Sequence, residues 1–168
     1  MTLLIQNETK YDGRSVNGIV RWVFRELGLT GDGVVVKIKH HGSKNYAYKG
    51  RFYSNLHSSW GEFYDYSIGQ WKDVAPNIPD THRRLIVCRI GRADLYPRRN
   101  HVYRRKDSPG TWEIEDWKEA LVCVTAHEAM HLRQCVTKGR GSGRYNEVET
   151  EWAAYRLWGR WRQANGCT

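Results

Sequence analysis

The amino-acid sequence predicts an α+β protein in which a helix and a group of strands precede two further helices. Three observations support this prediction. Apolar residues recur at three- and four-residue steps from Ser15 to Leu27, which is typical of an amphipathic helix. Short runs that alternate or are continuously apolar follow between residues 34 and 90, as expected of strands. Helical patterns then return from residue 113 onward.

The N-terminal part is expected to supply an edge strand, the first helix and a second strand. Thr2 to Ile5 is short enough for an edge strand. In the helix, Ser15 is the expected N-cap and Gly28 the expected stop, because serine caps N-termini and glycine ends helices at little steric cost. Val34 to Lys39 alternates between two faces, which predicts a half-buried strand.

The middle of the chain is rich in aromatic residues. Tyr46 to Ser54 alternates and predicts a strand, with Gly50 as a bulge or bend. Tyr64 to Ile68 is a further candidate strand within an aromatic-rich connection. Arg83 to Ile90 is almost continuously apolar at its centre, which favours a central strand buried on both faces.

Two helices are expected in the last third. The acidic residues Glu113, Glu115 and Asp116 favour a helix N-terminus because they complement the helix dipole, and this helix should run to about Thr137. Glycines then provide a flexible link, and a second amphipathic helix begins in the segment Asn146 to Glu151. The glycines of the link are Gly139, Gly141 and Gly143.

The first of these helices carries His127, Glu128 and His131 in the spacing His-Glu-x-x-His. Residues four apart lie above one another on a helix, so both imidazoles can bind one zinc ion. Glu128 falls beside the ion, where it can take a proton from a zinc-bound water. The preceding segment, Ala120 to Ala126, is apolar on nearly every side and is therefore expected to be buried. This context favours a catalytic metal site over an accidental match.

A catalytic zinc ion needs three protein ligands and one open position. No histidine follows His131, which excludes arrangements in which a third histidine completes the site. The remaining candidates are the carboxylates of the second helix, Glu147, Glu149 and Glu151.

At these residues the sequence resembles the gluzincins, the thermolysin-like zinc peptidases. Their motif is followed by Asn-Glu-x-x-Ser-Asp, and the chain has Asn146-Glu147-x-x-Thr150-Glu151, with Thr for Ser and Glu for Asp. The resemblance covers Thr125 to Ala154 and is closer to compact forms of the family. It implies that Glu147 is the third zinc ligand and that Glu151 holds His127 through a hydrogen bond.

The resemblance also implies a fold and an activity. The fold would be zincin-like, with an N-terminal packing helix, a small mixed twisted sheet of three to five strands, an active-site helix and a C-terminal helix that carries the third ligand. The activity would be that of an endopeptidase with one catalytic Zn²⁺ ion, Glu128 as general base and a peptide or protein substrate. An edge strand, for which Tyr46 to Ser54 is our choice, would pair with the substrate. Five residues could stabilise the oxyanion: Tyr145, Tyr155, Tyr103, His101 and Arg144.

Charge leaves other functions open. The chain has a formal net charge of +9, and the region from Arg83 to Lys106 holds nine Lys or Arg residues against one acid, Asp94. Such a region could bind nucleic acid or recruit an acidic partner. The protein could therefore be a nucleic-acid-binding module with a structural or vestigial metal site, or a protease recruited to nucleoprotein. A hydrolase acting on a non-peptide bond is a third alternative, and His40-His41 could bind a second metal.

Composition limits the remaining possibilities. No repeat divides the chain, so we expect one domain over residues 1–168, with the helix, sheet and basic loop in 1–110 and the metal-site helices in 111–168. The four cysteines form no C-x-x-C pair, which favours a reducing compartment. No apolar run is long enough for a signal peptide or a membrane span. We therefore expect a cytoplasmic protein, and the sequence does not predict an oligomeric state.

Overall fold

The structure is a computed structural model that describes residues 2–54, 62–65, 70–73, 79, 81–100, 106–138 and 146–166. Its three α-helices are α1 (Gly13–Glu26), α2 (Trp117–Lys138) and α3 (Glu147–Ala164). The strands are β1 (Leu4–Asn7), β2 (Val34–His40), β3 (Tyr48–Tyr53), β4 (Glu62–Asp65), β5 (Gln70–Asp73), β6 (Arg84–Ile90), β7 (Arg98–Arg99) and β8 (Glu113–Ile114). A 3-10 helix spans Ala93–Leu95. The predicted α+β class is confirmed.

Four strands form a mixed sheet in the order β1-β2-β6-β3. The first three are parallel, and β3 runs antiparallel to β6 at the sheet edge. Two antiparallel pairs, β4 with β5 and β7 with β8, form separate small sheets. The central position of β6 and the edge position of β1 agree with the sequence predictions, although β1 begins two residues later than expected.

The helices cover one face of the four-stranded sheet. The main hydrophobic core joins the inward side of α1, the alternate residues Val34, Val36 and Ile38 of β2, and nearly all of the first half of α2. Every residue from Ala120 to Ala126 has no exposed surface, which confirms that this segment is buried. The His-Glu-x-x-His motif therefore comes directly after a fully buried segment of the same helix.

The prediction that β2 is half-buried is wrong. Val35 and Lys37, on the face away from the helices, are also buried, because Val35 packs with Tyr53, Leu85 and Val87 in a second cluster. The Lys37 ammonium lies 3.6 Å from the Glu8 carboxylate, which compensates its buried charge.

The boundaries of α1 differ from those expected. The N-cap is Asp12, not Ser15, because the Asp12 carboxylate accepts a hydrogen bond from the Ser15 amide at 2.8 Å. Gly28 ends the helix as predicted: it has φ +69°, and the next amide, that of Leu29, donates to the Phe24 carbonyl.

The helix α2 starts later than its acidic residues suggested. Glu113–Ile114 pair with β7 as a strand instead of forming the first turn. Asp116 then caps the helix by accepting from the Glu119 amide, and the Glu119 carboxylate accepts from the Glu115 amide in return.

Gly50 is not the predicted bulge. It pairs with Cys88 in an uninterrupted ladder between β3 and β6. Its role is to let the strand approach α2 closely, as described below.

Several predicted features lie outside the described residues or lack a described pairing. The candidate strand Tyr64–Ile68 is replaced by β4, and residues 66–69 are outside the described ranges. The glycine link and Cys167 also fall outside. Cys88, Cys123 and Cys135 are free thiols. In the described part of the chain, no helix is both long and apolar enough to span a membrane.

Candidate metal centre

Three predicted ligands meet where α2 and α3 pack together. His127 and His131 share one face of α2, with ring centroids 5.1 Å apart. Glu147 is the first residue of α3, and its two carboxylate oxygens lie 3.2 Å from His127 Nε2 and 3.1 Å from His131 Nε2. The ligand atoms of these three residues all lie within 4.8 Å of one another. The cluster therefore joins two histidines of α2 to a glutamate that lies 16 positions after His131 in the sequence.

Glu147, and not Glu149 or Glu151, supplies the carboxylate of this cluster. Asn146 caps α3 by accepting a hydrogen bond from the Glu149 amide, which sets the start of the helix and the direction of Glu147. Thr150, one turn later, places its hydroxyl 3.4 Å from His127 Nε2. Glu151 is 8% exposed, and its charge is among those that raise the pKa of His127.

The charges of the cluster are strongly coupled. Burial lowers the pKa of His127, but its hydrogen bond to Glu147 and the charges of Glu128, Glu147 and Glu151 outweigh burial and raise it overall. Hydrogen bonds from His127 and His131 hold the pKa of Glu147 far below its usual range. The carboxylate is therefore ionised, as a metal ligand must be.

The spacing of these atoms would allow the three residues to hold one metal ion. Ligands at about 2.0 to 2.2 Å from zinc at tetrahedral angles are separated by roughly 3.3 Å. The two carboxylate-to-imidazole distances, 3.2 and 3.1 Å, are close to that separation. Two neutral imidazoles and one carboxylate are also a donor set that zinc accepts, and they leave one position open.

Glu128 lies beside the cluster and not in it. It is 5% exposed, and burial raises the pKa of its carboxyl group. Together with the three cluster residues it lines a cavity of about 290 Å³, here called the metal cavity. The β3 segment Gly50, Arg51 and Phe52 also lines this cavity. A carboxyl group of raised pKa next to a group of potential metal ligands is suited to accept a proton.

Sequence reasoning missed the role of Gly50. A methyl group on its Cα would lie 2.5 Å from Glu128 Oε1 and 2.7 Å from Val124 Cγ2. Only glycine allows β3 to lie this close to the Glu128 side chain. The alternating pattern of the strand contains no signal for that contact, because the contact depends on α2.

Sequence reasoning also missed Gln134, which is buried one turn after His131. Its side-chain oxygen lies 3.2 Å from His131 Nδ1 and accepts from the Asn146 amide at 3.3 Å. Its NH₂ group donates to the Asn146 carbonyl at 3.1 Å. Gln134 thus joins a histidine of α2 to the cap of α3. The three-residue spacing from His131 was the only available signal.

The oxyanion candidates receive no support. Tyr155 packs against Trp112, Trp152 and Trp158 and is absent from the cavity lining. His101, Tyr103, Arg144 and Tyr145 lie outside the described residues. His40 and His41 belong to no cluster of potential metal ligands in the described ranges, and the His40 Nε2 atom accepts from the Lys10 amide.

Comparisons with known proteins provide no relative. No protein-family model matches the chain, and neither a curated protein nor a solved structure matches it.

Proposed function

We propose that the protein is a zinc-dependent endopeptidase of zincin-like fold. The observation that carries the proposal is the convergence of His127, His131 and Glu147 beside the buried carboxyl group of Glu128. Three of these residues would hold the ion, and the fourth lies where it can act on a water molecule. The resemblance to gluzincins at the same residues supports this assignment.

The residues have separable roles in this proposal. His127 and His131 would bind zinc through their Nε2 atoms, and Glu147 through a carboxylate oxygen. The ion, when bound, supplies Lewis acidity that acidifies a water molecule and polarises the substrate carbonyl. Glu128 would take a proton from a water molecule as that water attacks the substrate carbonyl, and it would then deliver the proton to the departing amine. Burial raises the pKa of Glu128, which makes its carboxylate a stronger base and so favours the first of these two transfers.

The position of β3 supports a peptide substrate. It is the edge strand beside α2, and three consecutive residues of it line the metal cavity. An extended peptide can pair with such an edge through backbone hydrogen bonds alone. This pairing would hold a scissile carbonyl near Glu128 without requiring a particular side chain.

The test separates metal binding from catalysis. Zinc-loaded protein is assayed with quenched fluorescent peptides, and zinc content is measured by mass spectrometry. Glu128→Gln is expected to retain one zinc ion and to lose about a thousandfold in kcat/KM, since it removes the general base. Glu147→Ala is expected to lose the metal as well as the activity.

Glu149→Gln is the matched control. It removes one negative charge from the same first turn of α3 but lies outside the cluster, so zinc content and turnover should be unchanged. Hydrolysis that survives Glu128→Gln, or zinc that survives Glu147→Ala at full affinity, would contradict the proposal.

A further inference from the structure

A second cavity, of about 360 Å³, lies at the carboxyl ends of the parallel strands β2 and β6. It is formed by the segments that follow these strands, residues 41–44 and 91–95, together with Arg98. It shares no lining residue with the metal cavity. Ligands of open sheets commonly bind where parallel strands end, so the location is suited to a ligand.

The cavity concentrates positive charge. Lys44, Arg92 and Arg98 line it, against one acid, Asp94. Within the described ranges none of these three cations forms an ion pair. Three cations around one concavity repel one another, and a bound anion would relieve that repulsion.

A neutral hydrogen-bond donor also lines the cavity. Burial lowers the pKa of His41, so its ring adds no positive charge at neutral pH, and its two ring nitrogens are buried. The Ser43 oxygen accepts from the Asn45 amide, which leaves the hydroxyl proton to donate to a ligand. Cations combined with neutral donors bind an oxyanion through charge-assisted hydrogen bonds.

The cavity adjoins the strand that lines the metal cavity. Ile90, the last residue of β6, pairs with Tyr48, the first residue of β3, and Gly50 to Phe52 line the metal cavity. Strands rise by about 3.3 Å per residue and neighbouring strands lie about 4.8 Å apart. A peptide paired with the free edge of β3 would therefore continue past Tyr48 and turn toward the end of β6, and roughly four to six residues can span that path. A nucleic acid would need a basic track, whereas these cations converge on one concavity.

We infer that this cavity binds the carboxylate of an acidic side chain in a peptide extended along β3. The inference relies on the proposed function only in placing the scissile bond at the metal cavity. The cavity includes two parts of the chain that the metal site does not use, the residues after His40 and part of the basic region from Arg83 to Lys106. Its consequence is a preference for acidic substrates.

Binding, not cleavage, tests this inference. Full-length zinc-loaded protein carrying Glu128→Gln is titrated into fluorescent peptides of equal length that contain either glutamate or glutamine, and anisotropy is followed. The glutamate peptide should bind about tenfold more tightly. Lys44→Gln and Arg98→Gln should each remove most of that preference, and inorganic phosphate should compete with the glutamate peptide.

Arg21→Gln is the control, since it removes one positive charge from an exposed position of α1. Equal binding of the two peptides, or an equal loss with Arg21→Gln, would overturn the inference. Tighter binding of a single-stranded oligonucleotide, weakened by the same cavity variants, would assign the site to phosphate and also overturn it. Because the readout is binding, a protein that fails to cleave peptides can still pass this test.

Discussion

At the scale of single residues, Gly50 is the sharpest structural constraint on the site. An added methyl group would lie 2.5 Å from the Glu128 carboxylate, so β3 or Glu128 would have to move. We predict that Gly50→Ala lowers kcat/KM at least about tenfold, because small displacements of a catalytic group are costly. Zinc affinity should change little, since the atoms nearest to the added methyl group belong to Glu128 and Val124, which are not among the proposed ligands. Gly18→Ala, where nothing lies within 4 Å, should leave activity unchanged. Full activity of Gly50→Ala would show that the contact is irrelevant.

Gln134 acts on the site through His131. A ligand histidine is oriented by the hydrogen bond of its other ring nitrogen, and loss of such a partner typically costs about 10- to 100-fold in metal affinity. We predict a loss of that size for Gln134→Met, measured by competition with a chelating dye. Gln134→Glu keeps an acceptor for His131 Nδ1 and should recover most of the affinity. The visible spectrum of the cobalt-substituted protein should change in the methionine variant alone. Unchanged affinity and spectrum in Gln134→Met would contradict this role.

At the scale of elements, Glu119 ties the start of α2 to the end of α3. Its carboxylate, 3% exposed, receives hydrogen bonds from Arg162 Nη1 at 2.6 Å and from Trp158 Nε1 at 3.0 Å. Glu119→Ala would remove this partner from Arg162, which is only 18% exposed, and from Trp158, and we predict a loss of about 3 kcal/mol in the free energy of unfolding. Urea denaturation of the metal-free protein measures it.

The ion pair between Arg160 and Glu26 is the comparison, because its arginine is 60% exposed. Arg160→Ala should cost less than about 1 kcal/mol. Similar losses for the two variants would mean that Glu119 does not join the helices as described.

The elements also show what sequence could and could not predict. The pattern of apolar residues located α1, β2 and β6, because the buried residues of each element lie close together in the sequence. The Asp12 cap was missed because Asp12 and Ser15 are both capping residues three apart, and the first turn between them has no buried apolar residue. The second buried face of β2 depends on residues 50 positions later.

The same distinction applies to the site. His127, Glu128 and His131 could be selected from local spacing, and family resemblance selected Glu147 among three acids. The contacts of Gly50 and Gln134 could not be predicted, since each joins elements whose relative positions are set by packing. Local patterns therefore selected the candidate ligands, and the tertiary structure showed which residues pack around them.

At the scale of the whole molecule, a rise in pH should change the stability of the metal-free protein and that of the zinc-bound protein in opposite directions. The folded pKa of His127 is raised above 6.5, so its pairing stabilises the protein fully below that pH and less as pH rises through the folded value. The folded pKa of Glu147 is lowered from 4.5, so its contribution is present above that pH and is lost in acid. The cluster therefore stabilises the metal-free protein most in the window between these two reference values.

Zinc reverses the trend because its ligands must be deprotonated. We predict that the increase in Tm caused by zinc grows as pH rises from about 6 to about 8. Glu147→Gln should abolish both the increase and its pH dependence. Thermal denaturation with and without zinc measures this, and an increase that is constant or shrinks with pH would contradict the ligand assignment.

The proposed zinc site has three protein ligands and an open position. Diffraction from crystals of the zinc-loaded protein, recorded on both sides of the zinc absorption edge, tests it most directly. We predict one anomalous peak at about 2.0 to 2.2 Å from His127 Nε2, His131 Nε2 and a Glu147 oxygen, with solvent in the fourth position. Absence of a peak there, or a fourth protein ligand that closes the site, would contradict the proposed catalytic zinc site.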